Sequence, residues 1–217
     1  MNKILPTIVM ISLVLASSEQ PLFSDARSEI RLLKPNLSGG APLMVALNRR
    51  QSSRSFSRKR LPEQVLSDLL WAAAGINRND SGKRTAPSSM NRQEIDIYVV
   101  LEEGAYRYEP KRHSLKLVQG KDIRRLTGKQ AFAGTAPVNL VYVASMSRVA
   151  GSGREEKLLY AAADTGFIGQ NVYLFCASQG LATVIRAYMD KEALGKALAL
   201  EAGQEIILAQ TVGYPAN

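Results

Sequence analysis

The segment from Glu155 to Gln179 constrains the fold more than any other part of this sequence. Its residue pattern predicts one long helix that is apolar on most of its faces, and Gly180 would end it. Five small residues would allow another helix to approach it closely: Ala161, Ala162, Ala163, Gly166 and Gly169. A helix of this kind lies at the centre of a fold or at a subunit interface.

The rest of the pattern alternates between short strands and short helices. Alternating or continuous apolar residues predict strands at 95–101, 105–108, 115–118, 138–144, 181–185 and 205–212. Helical patterns cover 41–47, a stretch from Pro62 with Gly75 at its end, 121–126 and 191–200, and 77–91 is predicted to be a loop. No repeat, low-complexity tract or interdomain linker interrupts the pattern. The sequence therefore predicts one α+β domain over 41–217.

The N-terminus has the composition of a secretory signal peptide. Lys3 precedes an apolar run from Ile4 to Ala16, and small residues follow it. We expect residues 1–18 to be a leader that directs export, to the periplasm in a bacterial cell. The run is too short for stable insertion in a membrane. The alternative to a leader is that this run forms a buried first helix of the domain. Residues 19–40 are polar and poorly periodic, and they are expected to form a loose arm.

Composition limits the chemistry. Cys176 is the only cysteine and His113 the only histidine, so an internal disulfide is excluded and neither a zinc site nor a histidine triad is expected. Lysine and arginine total 28 against 19 acidic residues, a net charge of +9. That excess suggests an anionic partner: nucleic acid, a membrane surface, or a phosphorylated or acidic small molecule. Scattered aromatic residues argue against a nucleic-acid stacking surface.

Two segments carry residues suited to an anionic ligand. Arg50 to Phe56 places Arg50 and Arg54 four residues apart among hydroxyl and amide side chains, which suits a phosphate joined to a polyol. Pro87 to Gln93 offers hydroxyls and amides just before a strand. Each segment taken alone is more typical of a solvated loop than of a binding site.

Taken in order, the segments resemble the nitroreductase-like family of FMN-dependent oxidoreductases. The motifs are Arg-Gln-Ser-Ser-Arg-Ser-Phe at 50–56, Leu-Pro at 61–62 with the helix to Asn77, Pro-Ser-Ser-Met-Asn-Arg-Gln at 87–93, Gly-Leu-Ala-Thr at 180–183 and Val-Gly-Tyr-Pro at 212–215. The variants Leu-Trp-Ala-Ala-Ala-Gly-Ile-Asn and Gln-Glu-Ile look closest to the dehydrogenase-type branch that includes thiazoline and oxazoline oxidases. The resemblance covers about Leu43 to Pro215.

The resemblance implies a nitroreductase-like fold, with a central mixed or antiparallel sheet flanked by helices and the long helix at a homodimer interface. It implies FMN as the cofactor, and the site residues Arg50, Gln51, Ser52, Arg54, Pro87, Ser88, Ser89, Asn91, Arg186 and Ala187. Of these, Arg50 would contact the phosphate, Gln51 and Ser52 the phosphate and ribityl chain, and Arg54 the pyrimidine edge. The 87–91 residues would come from the partner subunit, and the backbone around Arg186 and Ala187 would face flavin N5. No catalytic residue is implied beyond tuning by Arg54.

This resemblance predicts an enzyme that moves electrons between NAD(P)H or another donor and a small organic acceptor. Two alternatives remain: a flavin-binding or flavin-modifying protein without turnover, and a basic module that binds no flavin. Three features depart from the family pattern. The lysine or arginine that often follows Gly-Tyr-Pro is missing, so Arg49, Arg58 or Arg148 could complete the phosphate site. Ala182 replaces a glycine, and export would separate the enzyme from cytoplasmic NAD(P)H.

Overall fold

The computed structural model describes residues 28–216, so the expected leader and residues 19–27 of the arm lie outside the described residues. The strands are β1 (Glu29–Arg31), β2 (Ile76–Arg78), β3 (Lys83–Arg84), β4 (Ile95–Val100), β5 (Ala105–Glu109), β6 (Ser114–Gln119), β7 (Val138–Ser145), β8 (Ala182–Arg186) and β9 (Gln204–Gly213). The α-helices are α1 (Leu43–Arg49), α2 (Glu63–Ala74), α3 (Arg154–Gln179) and α4 (Lys191–Ala197).

A 7-stranded sheet in the order β1-β6-β5-β4-β7-β9-β8 forms the centre of the domain, and every pairing in it is antiparallel. Side chains alternate along a strand, so each central strand sends residues to both faces of the sheet. A core cluster covers each face. In β4, Ile95, Ile97 and Val99 face one core cluster, whereas Tyr98 and Val100 face the other. The α+β prediction is therefore confirmed, with the sheet antiparallel rather than mixed.

Helices cover the two faces of the sheet unequally. Helices α2 and α3 supply Leu69, Leu70, Ile168 and Val172 to the larger cluster, and α1 packs against α3. The smaller cluster on the other face contains Leu194 on α4 and Leu198 directly after the helix. None of the helices within residues 28–216 is long and apolar enough to cross a membrane.

Two glycines end helices for different reasons. Gly180 follows α3 in the left-handed conformation, with φ of 68°, as expected for a helix stop. Gly75 follows α2 in extended conformation, with φ of −69°. Its role is spatial, because a Cβ atom there would lie 2.4 Å from Trp71 Cδ1.

Four expectations need correction. The arm is not loose throughout, since Glu29–Arg31 pairs with β6 and buries Ile30. The segment 77–91 is not simply a loop, because β2 and β3 form a hairpin and Ser89–Asn91 a 3-10 turn. The helix expected at 121–126 is a 3-10 turn at Arg124–Thr127, and α4 ends at Ala197 rather than at residue 200.

Candidate functional site

A pocket of about 670 Å3 opens where α1, α3 and β8 meet. Three of the five motifs contribute to its wall: the Arg50 segment, the Gly180–Thr183 segment and Pro215. The lining residues are Asn48, Arg49, Arg50, Gln51, Ser53, Tyr173, Ala177, Gly180, Leu181, Ala182, Thr183 and Pro215. Segments far apart in the sequence therefore form one concave surface, with a volume typical of small-molecule sites.

The Arg50 segment is held against the pocket by hydrogen bonds to β8 and α3. The backbone N–H of Ser53 donates to the carbonyl of Thr183 at 2.9 Å. The hydroxyl groups of Ser52 and Tyr173 are 2.9 Å apart, and Tyr173 Oη also accepts from the N–H of Ile185 at 3.0 Å. Tyr173 thus joins three elements through one hydroxyl group.

The pocket is positively charged. The guanidinium of Arg50 lies 5.5 Å from the centre of the Tyr173 ring, a cation–π distance. Neither Arg49 nor Arg50 forms an ion pair with a carboxylate among residues 28–216. Two uncompensated guanidinium groups from neighbouring residues of the lining suit a phosphate, because they donate several charge-assisted hydrogen bonds.

Only one of the three candidates for a second phosphate contact lines this pocket. Arg49 does so. Arg58 lies in a different cleft beside Glu102, and Arg148 donates to the Asp96 carboxylate at 2.7 Å. Arg49 is therefore the candidate that the geometry favours.

The residues present fit an FMN molecule. The cations Arg49 and Arg50 match its phosphate, and Gln51 and Ser53 of the same segment offer polar groups in the same lining. Gly180 and Ala182 leave space for a flat ring system, since neither carries a side chain larger than a methyl group. Arg54 is exposed and does not line the pocket in the single chain.

The Pro87–Gln93 turn lies elsewhere in the chain. Three of its residues have left-handed backbone conformation: Met90, Asn91 and Gln93, with φ of 51°, 53° and 51°. Such conformations cost non-glycine residues on the order of 1–3 kcal/mol each, so the surroundings must hold them. Asp164 Oδ2 accepts from the N–H of Ser89 at 2.9 Å, and Ser88 Oγ accepts from the N–H of Gln93 at 2.9 Å.

The turn and the pocket are separated along α3. Asp164 contacts the turn and Tyr173 contacts the Arg50 segment. Nine residues of helix separate these two contacts, a distance of about 14 Å at 1.5 Å per residue. The structure therefore does not bring Pro87, Ser88, Ser89 and Asn91 to the pocket of their own chain.

Arg186 does not direct its side chain into the pocket. By strand alternation it faces the side of the sheet opposite α3, where it is buried. It donates to the Thr127 carbonyl, to Asn139 Oδ1 at 2.6 Å and to Thr211 Oγ1 at 2.7 Å. Burial lowers the pKa of Arg186 to about 10. Ala187, the next residue, is exposed.

The face of α3 that points away from the sheet is exposed and largely apolar. Leu159 is 68% exposed and Phe167 48% exposed, and Ala162, Ala163 and Gly166 lie between them. The expectation of a helix apolar on most sides is met, but only one side of it is buried within the chain. On α1, Leu43 and Met44 are also exposed.

Comparison with known proteins agrees with this architecture. The model of the "Nitroreductase family" matches residues 47–214. A curated protein of Methanocaldococcus jannaschii, named among the nitroreductases, is 32% identical over 157 residues, which cover 67% of this chain and 79% of the relative.

The chain belongs to the nitroreductase family.

Two solved structures illustrate the range of similarity. A protein of Ralstonia eutropha JMP134, also named among the nitroreductases, is 42% identical with a TM-score of 0.83, over 88% of this chain and 91% of that one. The NADPH:FMN oxidoreductase of Vibrio harveyi, solved with NAD+, is 19% identical with a TM-score of 0.60, over 81% and 69% of the chains. The second comparison shows a shared fold only.

For this nitroreductase-family chain, sequence reasoning missed Tyr173 and Asp164. Both lie on the buried face of α3, where most of the other buried residues are apolar or small. That contrast was the available signal, because buried polar groups require partners.

His113, in turn, has a structural role: Ser67 Oγ and Tyr108 Oη lie 2.7 and 2.9 Å from its two ring nitrogens.

The Tyr173 hydroxyl gives a test of this arrangement. Tyr173→Phe leaves the N–H of Ile185 without its partner, so we expect the free energy of unfolding to fall by about 1–3 kcal/mol. Ser52→Ala should cost less, because Ser52 is exposed to water. Tyr160→Phe on the same helix is the control, since the Tyr160 hydroxyl forms no hydrogen bond with the described residues. Urea unfolding of the three variants measures their free energies of unfolding. Equal losses of stability in Tyr173→Phe and Tyr160→Phe would contradict the role assigned to the Tyr173 hydroxyl.

Proposed function

We propose that this protein is an FMN-dependent oxidoreductase that moves electrons from NAD(P)H or another donor to a small organic acceptor. The observation that carries the proposal is the pocket lined by Arg49, Arg50 and the Gly180–Thr183 segment, in a chain of the nitroreductase family. Members of that family are in general flavin-dependent oxidoreductases. The Vibrio harveyi neighbour is itself named as an NADPH:FMN oxidoreductase.

In this proposal each residue has a distinct task. Arg50 and Arg49 bind the phosphate, and Gln51 and Ser52 bind the phosphate and ribityl chain. Arg54 binds the pyrimidine edge, where negative charge develops on reduction, and the backbone after Arg186 faces N5. The bound FMN would supply the hydride chemistry, while the protein positions it and sets its electronic properties.

A homodimer would complete the site. The turn containing Pro87, Ser88, Ser89 and Asn91 cannot reach the pocket of its own chain, since the two are separated by about 14 Å of helix. The exposed apolar face of α3 lies beside both contacts. Pairing of this face with a second copy would bury it and could bring the turn of one chain to the pocket of the other.

The first test is for bound flavin and its redox activity. We expect the purified protein to be yellow, to bleach with NAD(P)H or dithionite and to recover its colour with an acceptor. A colourless protein that takes up no FMN would instead favour the basic module without flavin. Reduction by dithionite without any turnover would favour the flavin-binding protein.

Four arginine variants test the placement of FMN. Loss of a charged hydrogen bond costs about 1.5–3 kcal/mol, or roughly 10- to 150-fold in affinity. Arg50→Ala and Arg49→Ala should weaken FMN binding by that order in both redox states, because the phosphate charge does not change. Arg58→Ala is the matched control, since Arg58 lies in another cleft.

Arg54→Ala should behave differently. It should weaken binding of reduced FMN more than of oxidised FMN and so lower the midpoint potential. Titration with FMN measures the affinity, and potentiometry measures the midpoint potential. Equal potential shifts in Arg50→Ala and Arg54→Ala, or no shift in Arg54→Ala, would show that the two arginines are wrongly placed.

The dimer is tested at Gly166, where an added Cβ atom meets no heavy atom within 4 Å in the single chain. Gly166→Arg should therefore fold but place a charge on the exposed apolar face, giving monomers that lack FMN. Gly153→Arg is the control. An added Cβ atom at Gly153 also meets no heavy atom within 4 Å, but Gly153 precedes α3 and is not part of its apolar face. Sedimentation measures the oligomeric state, and the flavin-to-protein ratio measures the FMN content. Monomers with stoichiometric FMN would rule out the shared site.

We also propose that residues 1–18 direct export. The apolar run after Lys3 supports this, and an exported enzyme would need an electron donor other than cytoplasmic NAD(P)H. N-terminal sequencing of the protein from producing cells should give a start near residue 18. A cytosolic protein that retains Met1 would contradict export, and deletion of residues 1–18 should leave a folded protein that binds FMN.

A further inference from the structure

A second concave surface lies between the arm, α2, the β2–β3 hairpin and the turn that joins β5 to β6. We call it the arm groove, and six apolar residues form much of its wall: Leu32, Pro35, Leu37, Trp71, Ile76 and Pro110. Its volume of about 540 Å3 is typical of small-molecule sites. None of its lining residues borders the pocket beside Arg50, and none lies on α1 or α3. Within one chain, the arm groove is therefore separate from the proposed FMN site and from the apolar face of α3.

Trp71 gives the groove a flat apolar surface. Its indole N–H donates to the carbonyl of Ile76 at 3.2 Å, so the polar group of the ring is already bonded. A flat apolar molecule can therefore pack on the ring without leaving that donor unpaired. Trp71 is also the only tryptophan of the chain, so its fluorescence reports on the groove.

Two lysines give the groove a positive charge. Lys34 and Lys111 both line it, and both are exposed. Among residues 28–216, neither ammonium group forms an ion pair or a hydrogen bond. Both lysines are therefore available to an anionic group of a ligand.

The carboxylates close to the groove in the sequence are bound to other groups. Asp68 on α2 accepts from the N–H of Asn36 at 2.8 Å and from Gln64 Nε2 at 2.9 Å. Glu109, at the end of β5, lies 2.7 Å from the guanidinium of Arg107. No acidic residue lines the groove itself. An anion in the groove therefore meets two free cations and no carboxylate of the lining.

Hydrogen bonds within the chain hold the walls of the groove. The N–H of Leu32 donates to the carbonyl of His113 at 3.0 Å, which joins the arm to the turn between β5 and β6. Ser67 Oγ on α2 donates to the carbonyl of Leu33 and lies 2.7 Å from His113 Nε2. Walls that are fixed in this way lose little conformational freedom when a ligand binds, which favours affinity.

We propose that the arm groove is a second ligand site, which takes a small organic acid with a flat apolar body and one anionic group. The body packs on Trp71 and the apolar wall, and the anionic group binds Lys34 or Lys111. The apolar contact gives most of the affinity, because exposed ion pairs contribute little in water. The lysines select an anion over a neutral molecule of the same shape.

The experiment compares two probes with the full chain as purified. Anilinonaphthalene sulfonate has the proposed chemistry, and N-phenylnaphthylamine has nearly the same aromatic body without the charge. Equilibrium dialysis measures the affinity of each probe, and the fluorescence of Trp71 shows whether the probe binds beside it. We expect the sulfonate to bind more tightly than the neutral probe, and we expect this difference to shrink as salt screens the lysines.

Charge variants test the role of the lysines. Lys34→Gln and Lys111→Gln should each weaken binding of the sulfonate by about 1.4- to 5-fold and leave the neutral probe unchanged. Lys116→Gln is the matched control, because Lys116 on β6 is also exposed and without an ion pair among the described residues but does not line the groove.

A second pair of variants locates the apolar contact. Leu37→Glu should fold, because Leu37 is 70% exposed, and it should weaken both probes by at least about fourfold, the equivalent of one buried methylene. Leu33→Glu is its control, since Leu33 is 45% exposed on the same arm but does not line the groove.

Several outcomes would overturn the proposal. They are equal affinity for the two probes, binding that Leu37→Glu leaves unchanged or that Leu33→Glu weakens as much, and displacement of the sulfonate by FMN. Binding that appears only after proteolysis removes residues 1–27 would show that this segment is the occupant instead. Self-association that Leu37→Glu abolishes would show that a second copy of the chain is the occupant. The result does not depend on whether the protein binds FMN, so the proposed function stands or fails separately.

Discussion

The contact between α3 and the sheet at Gly169 positions both halves of the site. A Cβ atom at Gly169 would lie 2.8 Å from Ile185 Cδ1, so a larger residue there would force the Ile185 side chain to move. Gln210 Nε2 donates to the Gly169 carbonyl at 3.3 Å, and Gln210 Oε1 accepts from Tyr142 Oη at 2.6 Å. With α3 fixed here, Asp164 reaches the Pro87–Gln93 turn on one side and Tyr173 reaches the Arg50 segment on the other.

Most of the fold could be predicted from the sequence because its signals are local. The alternation of Ile95, Ile97 and Val99 identified β4, and the residues from Pro62 to Gly75 identified α2. Strand β1 gave no such signal, since it is three residues long and buries only Ile30. Its partner Ser114–Lys116 lies far along the chain, and pairing over that separation leaves no periodic trace.

The site residues that belong to sequence motifs could be predicted, whereas those defined by tertiary contacts could not. Arg50 and Gln51 were expected at a ligand and line a pocket, but the sequence could not choose among Arg49, Arg58 and Arg148. That choice depends on which way each side chain points after folding, and Asp96 already binds Arg148. Asp164 is unremarkable in the sequence, because its significance lies in its burial and in the hydrogen bond that it accepts from the Ser89 N–H.

The positions of the charges explain why one chain would not suffice for the proposed site. The unpaired cations Arg49 and Arg50 lie near one end of the stretch from Asp164 to Tyr173, and the strained turn lies at the other. A rigid helix of about 14 Å keeps them apart, so no loop movement of ordinary size would join them. The exposed apolar face of α3 runs along the same stretch. In the proposed homodimer, a two-fold axis through that face brings the turn of each chain towards the cations of the other, so that both motifs contribute to one site.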